Sequence, residues 1–213
     1  MNTGENKRFW SRYARLYDVE IDWFNKSAYE QMYEMMSSAL APDMEVLEVA
    51  TGTGLIARHI AAGVRHVTAT DFSPGMIDAA RKKQVLANVS FSIEDATALS
   101  FPDQSFDAAI ISNALHIMPD PACALSEIRR VLRPGGLLIA PTFSQARPKH
   151  SRNLNAFVLQ LIGFRVYSQW TPREYVSFIS SNGFHVTEWQ VLTAAFPLVY
   201  LEARVGADDP TKQ

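Results

Sequence analysis

An α/β fold is the class this sequence predicts: a doubly wound, mostly parallel sheet that finishes in an antiparallel hairpin. Three observations predict it. Strand-like and helix-like runs alternate from Glu45 to about Phe143, the pattern of βαβ units around a parallel sheet. Within that stretch Val46-Leu47-Glu48-Val49 breaks into Ala50-Thr51-Gly52-Thr53-Gly54 and re-emerges as the helical Leu55-Ile56-Ala57-Arg58-His59-Ile60. Such a strand–loop–helix corner can turn bare backbone N–H groups toward a ligand. Near the C-terminus two strand-like runs are joined by a connection too short for a crossover, so they must be antiparallel.

Residues 1–40 read as a helical, aromatic segment carrying Phe9, Trp10, Tyr13, Tyr17, Trp23, Phe24, Tyr29 and Tyr33. Lying ahead of the first strand, it is expected to act as a helical lid over the ligand end of the sheet, the alternative being rings that simply pack on the core. The main domain is expected over residues 41–206, with seven strands at Glu45–Val49, His66–Asp71, Val89–Ile93, 106–112, 136–143, Phe184–Leu192 and 196–205. The helix opening at Leu55 stops at Gly63. Ser73-Pro74 supplies an N-cap and a proline at the first helical position for a helix over 75–86. Asp120-Pro121 does the same for 122–132, which Pro134-Gly135-Gly136 ends. Residues 145–170 fall outside the alternation and read as a helical insert, apolar over 151–163. Thr171-Pro172-Arg173-Glu174 is a capping box opening a helix that stops near Gly183. Residues 207–213 are a polar tail expected to fray.

The bulk properties exclude several function classes. A formal net charge of −2 over 213 residues leaves no broad basic footprint for nucleic acid. No run of eighteen or so apolar residues occurs, so no transmembrane segment is expected, and Asn6-Lys7-Arg8-Phe9-Trp10 does not open a secretory signal. Cys123 is the only cysteine, which excludes an internal disulfide and a cysteine-based zinc cluster; it reads as a small core residue. The expectation is a cytoplasmic protein.

The candidate chemistry gathers at the strand ends. Gly52 and Gly54 suit a turn of positive φ that a ligand approaches closely. Gly52-x-Gly54-x-x-Ala57 leaves two ligand classes open, a nicotinamide dinucleotide and S-adenosylmethionine, beside a glycine-rich corner with no ligand. Asp71 closes the second strand about twenty residues on, where a carboxylate can accept both hydroxyls of a ribose. Asp95 ends the third strand and could accept from an adenine amino group. Asn113-Ala114-Leu115-His116 follows the fourth strand at the same edge.

Together these residues resemble the class I S-adenosylmethionine-dependent methyltransferases, in particular the small-molecule group called type 11 and its ubiquinone/menaquinone C-methyltransferase-like branch. Glu48-x-Ala50-x-Gly52-x-Gly54 is similar to the first motif, with alanine at the first small position. Asp71-Phe72-Ser73-Pro74-x-Met76 is similar to the ribose-binding strand end, Asp95-Ala96 to the adenine motif, and Leu132-Arg133-Pro134-Gly135-Gly136 to the turn into the fifth strand. The resemblance implies a Rossmann-like seven-stranded sheet and S-adenosylmethionine as cofactor, with S-adenosylhomocysteine as product. It implies cofactor contacts at Tyr17, Glu48, Ala50, Thr51, Gly52, Thr53, Gly54, Asp71, Phe72, Ser73, Met76, Asp95, Ala96 and Asn113. It also demotes the nicotinamide reading, because a dehydrogenase would continue with further parallel βα units.

A sulfonium already activates its methyl group, so the protein need only place an acceptor in line and exclude water. No metal is expected. His116 is the candidate general base, should the acceptor have to lose a proton, while His59, His66 and His185 look structural. Phe164, Tyr167 and Trp170 would roof an acceptor pocket and point to an apolar or aromatic small molecule. Arg147-Pro148-Lys149-His150-Ser151-Arg152 could instead meet an anionic head group, which keeps a phospholipid head-group N-methyltransferase with peripheral lipid contact as the alternative. A binding protein without turnover is a further rival. The expected assembly is a monomer or homodimer.

Overall fold

The computed structural model describes residues 26–83, 86–144, 166–193 and 197–206. Among them the chain runs α1 (Lys26–Ala39), β1 (Glu45–Val49), α2 (Leu55–Ile60), a 3-10 turn (Ala61–Gly63), β2 (His66–Asp71), α3 (Pro74–Lys82), β3 (Val89–Ile93) and β4 (Phe106–Ile111). A second 3-10 turn (Leu115–Ile117) leads to α4 (Pro121–Val131), β5 (Leu132–Ile139), β6 (Thr142–Phe143), α5 (Pro172–Ser181), β7 (Phe184–Leu192) and β8 (Leu198–Val205). Capping chemistry starts the helices where the sequence places it. Met76 N donates to Ser73 Oγ at 3.4 Å, Cys123 N donates to Asp120 Oδ1 at 3.0 Å, and the Thr171–Glu174 capping box is reciprocal.

The sheet has the order β3-β2-β1-β4-β5-β8-β6, with β7 on the outer side of β8. Strands β1 to β5 pair in parallel and β8 is antiparallel to β5, β6 and β7. Winding starts at β1, proceeds outward to β3 and then reverses to β4. The topological switch point therefore lies between β1 and β4, where ligands of open α/β sheets bind.

The sheet has eight strands rather than the expected seven. The run expected at 136–143 is two pieces, β5 and the two-residue β6, which pair with different parts of β8. Pro141, which has no N–H for a ladder, sits in the gap, and its carbonyl accepts from Asn113 N at 2.9 Å. The fifth strand also begins early, at Leu132 opposite Phe106, and the register then jumps to Ala108 opposite Leu137. Pro134-Gly135-Gly136 is thus looped out of the ladder, with Gly135 at φ +74. The helix expected over 75–86 ends at Lys82, the residue Lys83 being extended.

Two apolar layers cover the sheet, as a parallel sheet requires. Leu47, Val49, Ala109, Ile111 and Leu138 face α4 and α5, where Leu125, Ile128, Tyr175 and Ile179 are buried. Val46, Val67, Ile110, Leu137 and Ile139 face α1 and α2, through Tyr29, Met32, Met36, Ile56 and Ile60. Tyr29 and Tyr33 of the aromatic N-terminal segment therefore pack on this layer. Residues 1–25 lie outside the described residues, as do 207–213 and most of the 145–170 insert. Cys123 is half-buried rather than a core residue, its thiol donating to Thr97 O at 3.5 Å.

Candidate functional site

Parallel pairing puts the carboxyl ends of β3, β2, β1 and β4 along one edge, and a cavity of about 330 Å³ lies across them. Asp95 follows β3, Asp71 closes β2, the Ala50–Gly54 loop follows β1, and Asn113 follows β4. The β1 loop turns through left-handed backbone at Ala50 (φ +58), Gly52 (φ +56) and Gly54 (φ +74). A non-glycine residue rarely adopts such angles, so Ala50 carries strain that the loop's other bonds hold in place.

Those bonds come from two buried carboxylates. Asp71 Oδ2 accepts from Gly52 N at 2.9 Å and Oδ1 accepts from Ser73 N at 2.8 Å. Asp71 thus ties the glycine loop to the start of α3 while keeping lone pairs for ligand hydroxyls. Burial pushes its carboxyl up to about 6, against the two N–H bonds that favour the charged form. Glu48 lies beneath the loop, its Oε2 accepting from Thr51 Oγ1 at 2.6 Å. Burial pushes Glu48 up to about 8, outweighing the Thr51 hydroxyl and the Ala57 N–H, with the neighbouring Asp71 charge adding to the rise. Thr51 N donates to Thr70 O at 2.8 Å, and Arg58 Nη2 donates to Thr53 O at 2.9 Å.

At the β3 end Asp95 Oδ1 accepts from Thr97 N at 2.9 Å and Thr97 Oγ1 at 2.7 Å, closing a tight turn against the cavity. At the β4 end Asn113 sits at φ +51. His116 lies in the following 3-10 turn, its Nδ1 3.1 Å from Thr142 Oγ1. Burial drives its imidazole down to about 4, so the ring is neutral at physiological pH. Its backbone carbonyl accepts from Tyr167 N at 2.9 Å and Ser168 N at 3.1 Å, which brings Tyr167 into the cavity wall.

Of the residues predicted to hold a cofactor, Ala50, Gly52, Asp71, Phe72, Met76, Asp95, Ala96 and Asn113 line the cavity. Glu48, Thr51, Thr53, Gly54 and Ser73, predicted as cofactor contacts, do not line it; Ser73 N bonds to the lining Asp71, and Glu48 and Thr51 bond to each other beneath the loop. His116 does not line it. Tyr17, Phe164 and the basic run 147–152 lie outside the described residues. Ile117, Met118, Pro119 and Asp120, not among the predicted site residues, line the cavity; Tyr167, expected to roof the acceptor, lines it too, whereas Trp170, expected beside it, does not and instead stacks on Phe178 with ring centroids 4.7 Å apart. The first four form the connection from β4 to α4, and such a connection must pass the carboxyl edge of the sheet; that position was the available signal.

Asp71, Glu94, Asp95 and Asp120 line the cavity, with no lysine or arginine among the described lining residues. An acidic wall suits a cationic sulfonium and disfavours a dinucleotide's diphosphate. Phe72, Met76, Ile117 and Met118 offer apolar surface for a planar base beside the ribose-binding carboxylate. The residues present therefore fit S-adenosylmethionine. Among the described residues no group of three or more His, Cys, Asp or Glu is arranged to hold a metal ion, and no helix is long and apolar enough to cross a membrane.

Comparison with known proteins agrees with this geometry. Residues 47–140 match the family model described as a methyltransferase domain. Demethylmenaquinone methyltransferase of Renibacterium salmoninarum is 37% identical over 133 residues, covering 62% of this chain and 55% of that protein. The ubiquinone/menaquinone biosynthesis C-methyltransferase UbiE of Shewanella piezotolerans is 33% identical over 162 residues, covering 72% of this chain and 63% of that protein. The chain therefore spans somewhat more than half the length of the relatives it matches. Among solved structures, the methyltransferase chain in complex with the Haloferax volcanii Trm112 methyltransferase activator superposes with a TM-score of 0.80 at 20% identity, covering 94% of this chain and 97% of that one. That likeness concerns the fold.

Proposed function

From the premise that residues 47–140 are a methyltransferase domain, we propose that the chain transfers a methyl group from S-adenosylmethionine to a small apolar or aromatic acceptor. The finer reading is a ring carbon of a quinol. One observation carries it: a single cavity crosses the ends of β3, β2, β1 and β4 and meets Asp95, Asp71, the glycine loop and Asn113 in that order. The relatives named for quinone methylation support the acceptor class.

When bound, the cofactor supplies a methyl group already activated by its sulfonium. The chain's own residues bind and orient. Asp71 accepts the ribose hydroxyls with the lone pairs left by Gly52 and Ser73, and Asp95 accepts from the base. Phe72 and Met118 pack on the base faces and keep water out. The acidic wall favours the charged cofactor over its neutral product, which helps the product leave. His116 remains the candidate base for an acceptor hydroxyl, with Thr142 orienting its ring, although the ring stands outside the cavity lining and its burial, which keeps it neutral at physiological pH, also weakens it as a proton acceptor.

The test incubates the purified protein with methyl-labelled S-adenosylmethionine and chemically reduced demethylmenaquinone, beside lipid and water-soluble cell fractions. Asp71→Ala serves as the cofactor-site control. Label on the quinol, absent with Asp71→Ala, is the expected result. Label in phospholipid head groups alone would favour the N-methyltransferase alternative. Cofactor binding with no label in any fraction would overturn the enzymatic reading.

A further inference from the structure

We propose that Tyr29 is a positioning residue for the cofactor cavity, acting through Asn113. The Asn113 side chain is committed to the scaffold: Nδ2 donates to Tyr29 Oη at 2.9 Å and Oδ1 accepts from Phe143 N at 3.0 Å. With its backbone N–H on Pro141 O, Asn113 is held in left-handed backbone from three sides. The cavity wall formed by Ser112, Asn113 and Ala114 therefore takes its shape partly from a phenol on α1.

The same helix reaches the opposite wall. Tyr29 meets Tyr33 edge-on with ring centroids 6.0 Å apart, and Tyr33 stacks on His59 of α2 at 4.3 Å and 19°. Helix α2 grows directly out of the glycine loop. Helix α1 thus braces the element behind the β1 loop against the turn behind β4, and neither Tyr29 nor Tyr33 lines the cavity itself.

Sheet order gives the effect a direction. A nucleoside seated on Asp71 and Asp95 lies over β2 and β3, so its 5′ substituent extends over the ends of β1 and β4, toward Ala50, Gly52 and Asn113. Loss of the Tyr29 hydroxyl weakens a ligand carrying the amino-acid arm and spares one that lacks it. This rests on the cavity being the S-adenosylmethionine site.

The experiment titrates S-adenosylhomocysteine and 5′-methylthioadenosine calorimetrically into the full chain and into Tyr29→Phe, Tyr200→Phe and Asp71→Asn. Tyr29→Phe keeps the ring and its packing. Tyr200→Phe removes another hydroxyl on the same apolar layer, bonded to Glu202 at 2.7 Å, and reports what general loosening does. The expected result is about 3- to 10-fold weaker S-adenosylhomocysteine for Tyr29→Phe, the loss of one hydrogen bond, with methylthioadenosine unchanged. Tyr200→Phe leaves both affinities unchanged, and Asp71→Asn weakens both. Wild-type affinity in Tyr29→Phe, or an equal loss for both ligands, overturns the proposal while leaving the cavity reading intact. Wild-type affinities in Asp71→Asn overturn the cavity reading and this proposal with it.

Discussion

Gly54→Ala probes the β1 loop at its tightest point. Gly54 sits at φ +74, and a methyl on its Cα would lie 2.8 Å from Phe91 Cε1, 3.0 Å from Phe91 Cζ and 3.2 Å from Arg58 Nη1. Carbon atoms pack best at about 3.5–4.0 Å, so the methyl cannot be admitted until the Phe91 ring on β3 gives way. Two costs add. Left-handed backbone costs an alanine about 1–2 kcal/mol, lessened by roughly 0.4–1 kcal/mol because alanine stiffens the unfolded chain. Overpacking against the ring adds about 1–3 kcal/mol. The central value is near 2.5 kcal/mol, and at about 2–4 °C per kcal/mol for a chain of this size the melting temperature falls by about 5–10 °C. Differential scanning calorimetry reads that shift, and titration of S-adenosylhomocysteine reads the accompanying loss of loop shape, expected at tenfold or more by order of magnitude. A melting temperature within about 1 °C of wild type, with unchanged affinity, would refute both the strain and the crowding argument.

Three further outcomes follow from the same loop and its neighbours. Ala50→Gly is the mirror experiment: relief of left-handed strain at φ +58, about 1–2 kcal/mol, roughly cancels the added flexibility of the unfolded chain, so calorimetry should show an unchanged or slightly raised melting temperature. Glu48, with its folded-state pKa raised to about 8, binds its proton more tightly folded than unfolded, so its contribution is lost as pH rises through 8. Between pH 7 and 9 that amounts to about 1.4 kcal/mol, visible as a falling melting temperature that Glu48→Gln should flatten. His116 enters with the opposite sign, its pKa being depressed, and acts only below about 6.5. If His116 is the base, His116→Gln should lower kcat by about 10²-fold or more, and wild-type kcat should show no acid limb between pH 8 and 6; an acid limb near 6.5 would refute the buried neutral ring.

Local chemistry made most of the scaffold legible. Ser73-Pro74, Asp120-Pro121 and Thr171–Glu174 state their helix starts within four residues, and the structure uses each of them. The apolar residues of β1 and β4 declare strands buried on both faces. What stayed hidden depends on partners distant in sequence. Nothing near Leu132 announces that it pairs with Phe106 before Pro134-Gly135-Gly136 loops out. The division of β5 from β6 turns on Pro141, whose carbonyl is claimed by Asn113 from the connection after β4. Tyr167 is expected over the acceptor from its place in the insert, but what holds it there, the His116 carbonyl about fifty residues earlier accepting from its backbone N–H, is announced by no local pattern.

The same distinction separates Asp71 from His116. Asp71 was singled out by spacing from a glycine loop, and spacing suffices because the two belong to one βαβ unit: the bond from Gly52 N to Asp71 Oδ2 spans only 19 residues. His116 was singled out by place, just beyond a strand end, but a base also needs an environment, and that is set by Thr142 from β6 and by the residues that bury the ring. Those neighbours leave the imidazole neutral and turn its backbone into the anchor for Tyr167. A substitution that deletes the ring leaves that carbonyl in place, whereas one that moves the 115–117 turn would displace Tyr167 as well. His116→Gln and a turn-disrupting His116→Pro therefore separate the two roles: loss of kcat alone in the first marks the imidazole as a base. Wild-type kcat in the first, with a raised acceptor KM in the second, would mark the turn as scaffold for the acceptor wall.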